Sequence, residues 1–127
     1  MRRLITAAVV TVTCAACFSD EKLQFDALQL GRSVNPDHTV ANHTTTFSPK
    51  DTIYASVLTS NTGSGTISVR WTFRGRAVDE PSKQVRFKGA GVTEFSLANA
   101  GGFPVGDYKV EVFIDGQPVG EREFRVE

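Results

Sequence analysis

Between Thr66 and Arg74 the chain changes character at every step. Ile67, Val69, Trp71 and Phe73 alternate with Ser68, Arg70, Thr72 and Arg74. Successive side chains of an extended strand point to opposite faces, so this stretch reads as a strand with one apolar and one polar side. The same period recurs at Tyr108, Val110, Val112 and Ile114, just before Asp115-Gly116, a pair that favours a tight hairpin turn. After the N-terminal segment, no stretch of about eleven residues carries the three-and-four spacing of an amphipathic helix.

Shorter segments repeat the pattern. Residues 23–30 alternate at Leu23, Phe25 and Ala27 and then need a bulge before Leu28 and Leu30. A weak, Thr-rich segment covers residues 38–47. Ile53, Ala55 and Val57 face inward in 52–59, Val85 and Phe87 in 84–88, and Phe95 and Leu97 in 92–97. Residues 119–126 need a bulge near 120–122, or Val119 and Phe124 would face opposite sides. Turn formers punctuate these runs: Asn35-Pro-Asp37, Asn61-Thr-Gly-Ser-Gly65, Gly75, Gly89-Ala-Gly91 and Gly101-Gly102. The pattern predicts an all-β chain, a single antiparallel sandwich of about seven to eight strands over residues 23–127.

The N-terminus has another character. Arg2 and Arg3 precede an apolar run at residues 4–16, and Cys17-Phe-Ser-Asp-Glu-Lys22 switches abruptly to polar sequence. A bilayer span needs about 20 apolar residues, so this run is too short to be one. Its length and charged start fit a signal peptide over residues 1–16. Two cleavage readings follow. An ordinary signal peptidase would cut after Ala16. Alternatively, Cys14-Ala15-Ala16-Cys17 resembles the bacterial lipobox at its two small positions and its cysteine, with Cys14 where leucine is usual. That resemblance implies acyl chains on Cys17, and through them membrane lipid as a partner. One acyl chain binds a membrane only marginally; bacterial lipoproteins of this kind carry several. Residues 17–22 would form a short tether. Phe18 stands where an aspartate would signal inner-membrane retention, which points to the outer membrane, facing the periplasm, in a cell with two membranes. The other cleavage leaves a secreted or periplasmic protein.

Both cysteines lie at positions 14 and 17, so the remainder has no internal disulfide and depends on packing. It is long enough to bury a core. Two of the 14 basic residues and none of the 14 acidic ones stand in the leader, which leaves the body slightly acidic. No field of one sign results that would draw nucleic acid.

Chemistry-bearing groups are sparse. His38 and His43 are spaced oddly, which on a strand places them on opposite faces, and a metal site would need further ligands. The reading is two solvated side chains and no metal or cofactor. Asn61-Thr-Gly-Ser-Gly65 opens no helix, so it reads as a hairpin loop and not as a phosphate cradle. Arg70 and Arg74 point outward, with Arg76, Lys83, Arg86 and Lys88 close in sequence. They form either a basic patch or one half of a salt-bridged face with Glu111 and Asp115 opposite. Phe113 points outward between those two acids and is the candidate contact for an envelope protein partner.

Two positions resemble the immunoglobulin-like sandwich. Trp71 stands where such folds place their core tryptophan. Gly106-Asp-Tyr108 opens the penultimate strand where they place a tyrosine corner. Val110, with Val57 as its partner on an earlier strand, takes the place of the antibody cysteines. The chain is similar to bacterial exported lipoproteins with an immunoglobulin-like body. They share Phe47-Ser-Pro-Lys-Asp-Thr-Ile-Tyr54, a mid-chain tryptophan and an ending like Gly106-Asp-Tyr-Lys-Val-Glu-Val-Phe-Ile-Asp-Gly-Gln-Pro-Val-Gly-Glu-Arg-Glu-Phe-Arg-Val126. The resemblance implies fold and export; its residues are packing and turn residues, so it implies no particular chemistry. The expected function is a membrane-tethered, non-catalytic envelope module for binding or accessory work. The alternative is an exported domain for a small ligand or glycan, shaped by Phe103 and Gly101-Gly102.

The facing assignment is testable at neighbouring positions. Trp71→Ala should cost about 3–5 kcal/mol by opening a cavity. Arg70→Ala, on the other face, should cost far less in the same chemical denaturation experiment.

Overall fold

The computed structural model describes residues 21–127, so the leader and Cys17 lie outside the described residues. Ten strands follow one another: β1 (Phe25–Val34), β2 (Val40–His43), β3 (Thr46–Phe47), β4 (Ile53–Thr59), β5 (Thr62–Phe73), β6 (Arg76–Asp79), β7 (Ser82–Lys88), β8 (Gly91–Leu97), β9 (Gly106–Ile114) and β10 (Gln117–Val126). They build two sheets. One has the order β2-β1-β4-β8 and the other β3-β10-β9-β5, with β6 and β7 lying end to end along the far side of β5. Ile53, Ala55 and Val57 from the first sheet and Ile67, Val69, Trp71, Val110 and Val112 from the second are fully buried in one shared core. The period-two reading of these strands therefore holds at each of those positions.

The strand count and the pairing depart from expectation. The Thr-rich segment divides into β2 and β3, which join opposite sheets, and β3 runs parallel to β10. Glu80 and Pro81 separate β6 from β7, because proline has no N–H to offer the ladder. The expected purely antiparallel set of seven to eight strands becomes ten among the described residues, with one parallel pairing between strands. Asn61-Thr-Gly-Ser-Gly65 is not a hairpin loop. Thr62, Gly63, Ser64 and Gly65 belong to β5 and pair with β7, and the preceding residues carry the chain from one sheet to the other. Arg74 is not a strand residue. With φ of 52° at Arg74 and 78° at Gly75, the two make the left-handed turn joining β5 to β6.

Both expected bulges are present, each a residue or two earlier than expected. The β1–β4 register shifts between Phe25 and Ala27, and the β9–β10 register shifts between Pro118 and Gly120. The second shift brings Phe124 opposite Tyr108, where both are buried. It also leaves Gly120 beneath the Phe25 ring, where an added Cβ would lie 2.7 Å from Phe25 Cζ. Tyr108 makes the anticipated corner: its hydroxyl donates to the Pro104 carbonyl at 2.7 Å. Burial raises the Tyr108 pKa above its ordinary value, which keeps this donor protonated.

The segment Phe47-Ser-Pro-Lys-Asp-Thr-Ile-Tyr54 is the crossing between sheets. Phe47 is buried at the end of β3 and Ile53 is buried at the start of β4. Between them the Asp51 carboxylate accepts the Ser48 N–H at 2.7 Å and the Arg32 Nε at 3.0 Å. Those donors, the Ser48 N–H first, hold the Asp51 pKa below its ordinary value.

A sandwich leaves two open flanks where the sheets part. Here each flank is spanned by one cation from the second sheet. Arg122 pairs in register with buried Val110, so it is turned toward the first sheet, and its Nε donates to the Leu28 carbonyl on β1 at 2.7 Å. Lys83 pairs in register with buried Ile67, lies 5.2 Å from the Phe95 ring centroid and donates to the Glu94 carbonyl on β8. Inward-pointing charges on outer strands also discourage edge-to-edge pairing with another chain. A hydrogen bond from a charged donor contributes roughly 1.5–3 kcal/mol, less with exposure. Arg122→Ala should therefore lower stability by about 1–2 kcal/mol in urea, whereas Arg76→Ala on β6 should change it by less than about 0.5 kcal/mol.

Candidate functional site

The residues with chemical potential fall in three places. The first is the tip of the β1–β2 hairpin. Asn35, Pro36 and Asp37 form a turn in which the His38 N–H donates to the Asn35 carbonyl, and His38 follows with φ of 73°. This geometry is a type I turn closed by a left-handed residue, a common hairpin loop. Asp37 accepts the Thr39 hydroxyl and N–H, and those bonds lower its pKa. The tip folds over the outer face of β4 and β8. There His38 Nδ1 lies 2.9 Å from Glu94 Oε1, and the Ser56 hydroxyl donates to the His38 carbonyl.

A serine, a histidine and a carboxylate thus meet, but not in catalytic order. Nucleophilic catalysis needs the hydroxyl hydrogen-bonded to the base. Ser56 is fully buried and its hydroxyl is engaged by a backbone carbonyl, whereas the His38 side chain is 64% exposed. His38 is not simply solvated, as the sequence suggested, since Glu94 holds it. His43 stands exposed on β2 and is not brought to the same place. Among the described residues no group of three or more His, Cys, Asp or Glu could hold a metal ion.

The second place is the loop between β8 and β9. Phe103 is buried and meets Tyr108 edge-on, with ring centroids 6.1 Å apart. Its N–H donates to the Pro49 carbonyl. Phe103 therefore belongs to the core. The alternation rule does not reach loop residues, so sequence alone left its direction open.

The third place is the outer face of β9, β5 and β10. Arg70 lies in register with Glu111, as the salt-bridged reading requires. Its closest partner is Glu80 at 2.8 Å, with Glu111 at 3.9 Å. The Glu80 bond raises the Arg70 pKa. Lys109 faces Glu123 across the ladder, and Arg125 bonds Asp107 at 2.7 Å. Arg74 turns back over the Phe73 ring at 5.0 Å. Asp115 is not part of this network: it sits in the hairpin turn and accepts the Thr66 N–H at 2.9 Å. Lys83 leaves the outer face altogether for the flank between the sheets. The basic residues that cluster in sequence are thus dispersed in space. An open depression of about 650 Å³ between Arg70, Arg74, Lys109 and Glu123 is lined by both signs of charge.

Phe113 stands on this face in register with Pro118 and Ser68. It is half-buried, and the Arg70 guanidinium carbon lies 4.9 Å from its ring centroid. A bare outward aromatic was expected. The observed one is capped by a cation, with the cation itself tied to Glu80. Glu80 lies in a connection where strand alternation has no purchase, so this part of the cluster had no sequence signal.

No family model matches the chain, and no curated protein sequence matches it. Solved structures do. An immunoglobulin-like protein from Pseudomonas aeruginosa aligns over 85% of this chain and 98% of its own, with a TM-score of 0.58 and 14% identity. A β-glucosidase from Erythrobacter marinus aligns over 83% of this chain but 15% of its own, with a TM-score of 0.55 and 14% identity. The alkylpurine DNA glycosylase of Pseudomonas fluorescens, bound to DNA with an abasic site analogue, aligns over 84% of this chain and 30% of its own, at 0.51 and 10%. At such identities the likeness is one of fold: the chain has an immunoglobulin-like β-sandwich fold. The enzymes' chemistry does not transfer with it.

The Arg70–Phe113 contact has a measurable coupling. Cation–π pairs at exposed sites contribute about 0.5–1 kcal/mol. Phe113→Ser and Arg70→Ala, alone and combined, should show a coupling of that size in a denaturation double-mutant cycle. Additive losses would mean that the two side chains do not interact in solution.

Proposed function

We propose that this chain is an exported lipoprotein: residues 1–16 are a signal peptide, Cys17 carries acyl chains, and the immunoglobulin-like domain is a non-catalytic binding or accessory module of the cell envelope. The observation that carries the reading is the sequence Cys14-Ala15-Ala16-Cys17 a few residues before the β-sandwich, in which Glu21 is already bonded to Ser64. The surface geometry supports a binding role over catalysis. Ser56, Asp115 and Arg70 are each engaged within the domain, so none stands free as a nucleophile or acid at a cleft. Phe113, flanked by Pro118 and Ser68 and rimmed by charge, is the contact assigned to an envelope protein partner.

Intact-mass spectrometry of protein taken from its native membrane is expected to show lipid mass on an N-terminal Cys17. An unmodified Cys17, or a mature chain starting later, overturns the anchor. Crosslinking in cells then compares wild type with Phe113→Ser. Loss of a crosslinked protein in the variant is expected, and an unchanged set removes Phe113 from the contact.

A further inference from the structure

The chain enters the fold at one end of the sandwich and is held there. Lys22 forms a parallel bridge with Ser64, and the Ser64 N–H donates to the Glu21 carbonyl at 3.2 Å. The Asn61 side chain closes the same junction from both sides. Its Nδ2 donates to the Lys22 carbonyl at 2.8 Å, and its Oδ1 accepts the Gln24 N–H at 2.8 Å. Gly63 is what lets the segment lie so close: a Cβ there would come within 2.3 Å of the Glu21 carbonyl oxygen. The Asn61-Thr-Gly-Ser-Gly65 motif, which had no chemical role in the site, is thus the receptor for the incoming chain.

Residues 21 and 22 therefore move with the domain, and only residues 18–20 separate Cys17 from it. Extended chain spans at most about 3.6 Å per residue, so Glu21 can stand no more than roughly 14 Å from the Cys17 Cα. The opposite end carries the crossing at Asp51 and the β8–β9 loop. The seven residues of β8 put that end about 20 Å further away.

We infer that the end of the sandwich bearing Glu21, Asn61 and Gly89 rests on the lipid headgroups, and that the opposite end points away from the membrane. This rests on the acylation of Cys17 proposed above. Two exposed lysines at the near end can meet phosphate-bearing headgroups: Lys22 bridges Ser64, and Lys88 lies opposite Thr62 in a neighbouring row. The same end also carries the exposed acids Glu21 and Asp115. Juxtamembrane cations are drawn to an anionic lipid surface within a Debye length.

The test uses the full acylated protein in vesicles of phosphatidylethanolamine and phosphatidylglycerol. Gly89→Cys places a label at the near end, where a side chain meets open space, and Gly101→Cys places one at the far end. Each is labelled with a fluorophore, and quenching by nitroxide-headgroup lipid is measured. Several-fold stronger quenching at position 89 than at 101 is expected. Lys22→Gln combined with Lys88→Gln should reduce that contrast in anionic vesicles, and an unchanged contrast removes the cations from the contact. Equal quenching at the two positions, or the reverse order, overturns the orientation. Intact mass of the same samples separates the two ideas. Lipid mass on Cys17 with equal quenching sinks the orientation alone, whereas absence of lipid mass sinks the anchor and the orientation together.

Discussion

The register of β10 is the constraint on which the rest of the core depends. Phe124 meets Phe47 edge-on at 5.6 Å, Trp71 edge-on at 5.9 Å and Tyr108 in a stack at 5.3 Å. Tyr108 in turn stacks on Phe73 at 4.4 Å. One ring thus links β3, β5, β9 and β10. It reaches that position only because the strand takes an extra residue between Pro118 and Gly120. A one-residue slip would turn Phe124 to solvent and Arg125 into the core. With no cysteine after position 17, no covalent cross-link within the domain can compensate for such a slip. Val57 and Val110, on facing sheets, are both fully buried, so packing holds the sheets together there.

The two flanking cations address a different requirement. Closing a sandwich by hydrophobic packing alone would leave apolar flanks and unpaired edge carbonyls, an invitation to pair with another chain. Arg122 and Lys83 cover both flanks with long aliphatic stems and end on carbonyls of the first sheet. Their positions obey the inward alternation of their strands, so the same periodicity that builds the core also places its closures.

That periodicity explains what could be read from the chain and what could not. Trp71, Tyr108, Val110 and both bulges follow from counting in twos, because burial and strand geometry depend on local order. The corner at Tyr108 was legible from its place in the penultimate strand. Which strands become neighbours is a matter of long-range pairing, and there the reading was right only in part: β9 beside β5 was foreseen, whereas other pairings were not. Nothing local distinguishes a hairpin loop at Asn61 from a crossing between sheets, or tells that Thr46 will run parallel to Arg125. The candidate site shares that limit. Arg70 opposite Glu111 was foreseen, since both lie on regular strands. The stronger bond to Glu80, the His38–Glu94 pair and the inward turn of Phe103 arise in loops, where position carries no facing rule.

The parallel pairing of β3 with the end of β10 has a temporal consequence. Phe47 and Val126 are register partners, and the Glu127 N–H donates to the Phe47 carbonyl. Arg122 closes its flank on a carbonyl 94 residues earlier in the chain. A ribosome emits β3 long before β10 exists, so the second sheet cannot be completed until the last residues emerge. Folds built from such distant contacts form slowly, because loop closure precedes the reward of contact. The nascent chain therefore spends most of its synthesis short of its native state.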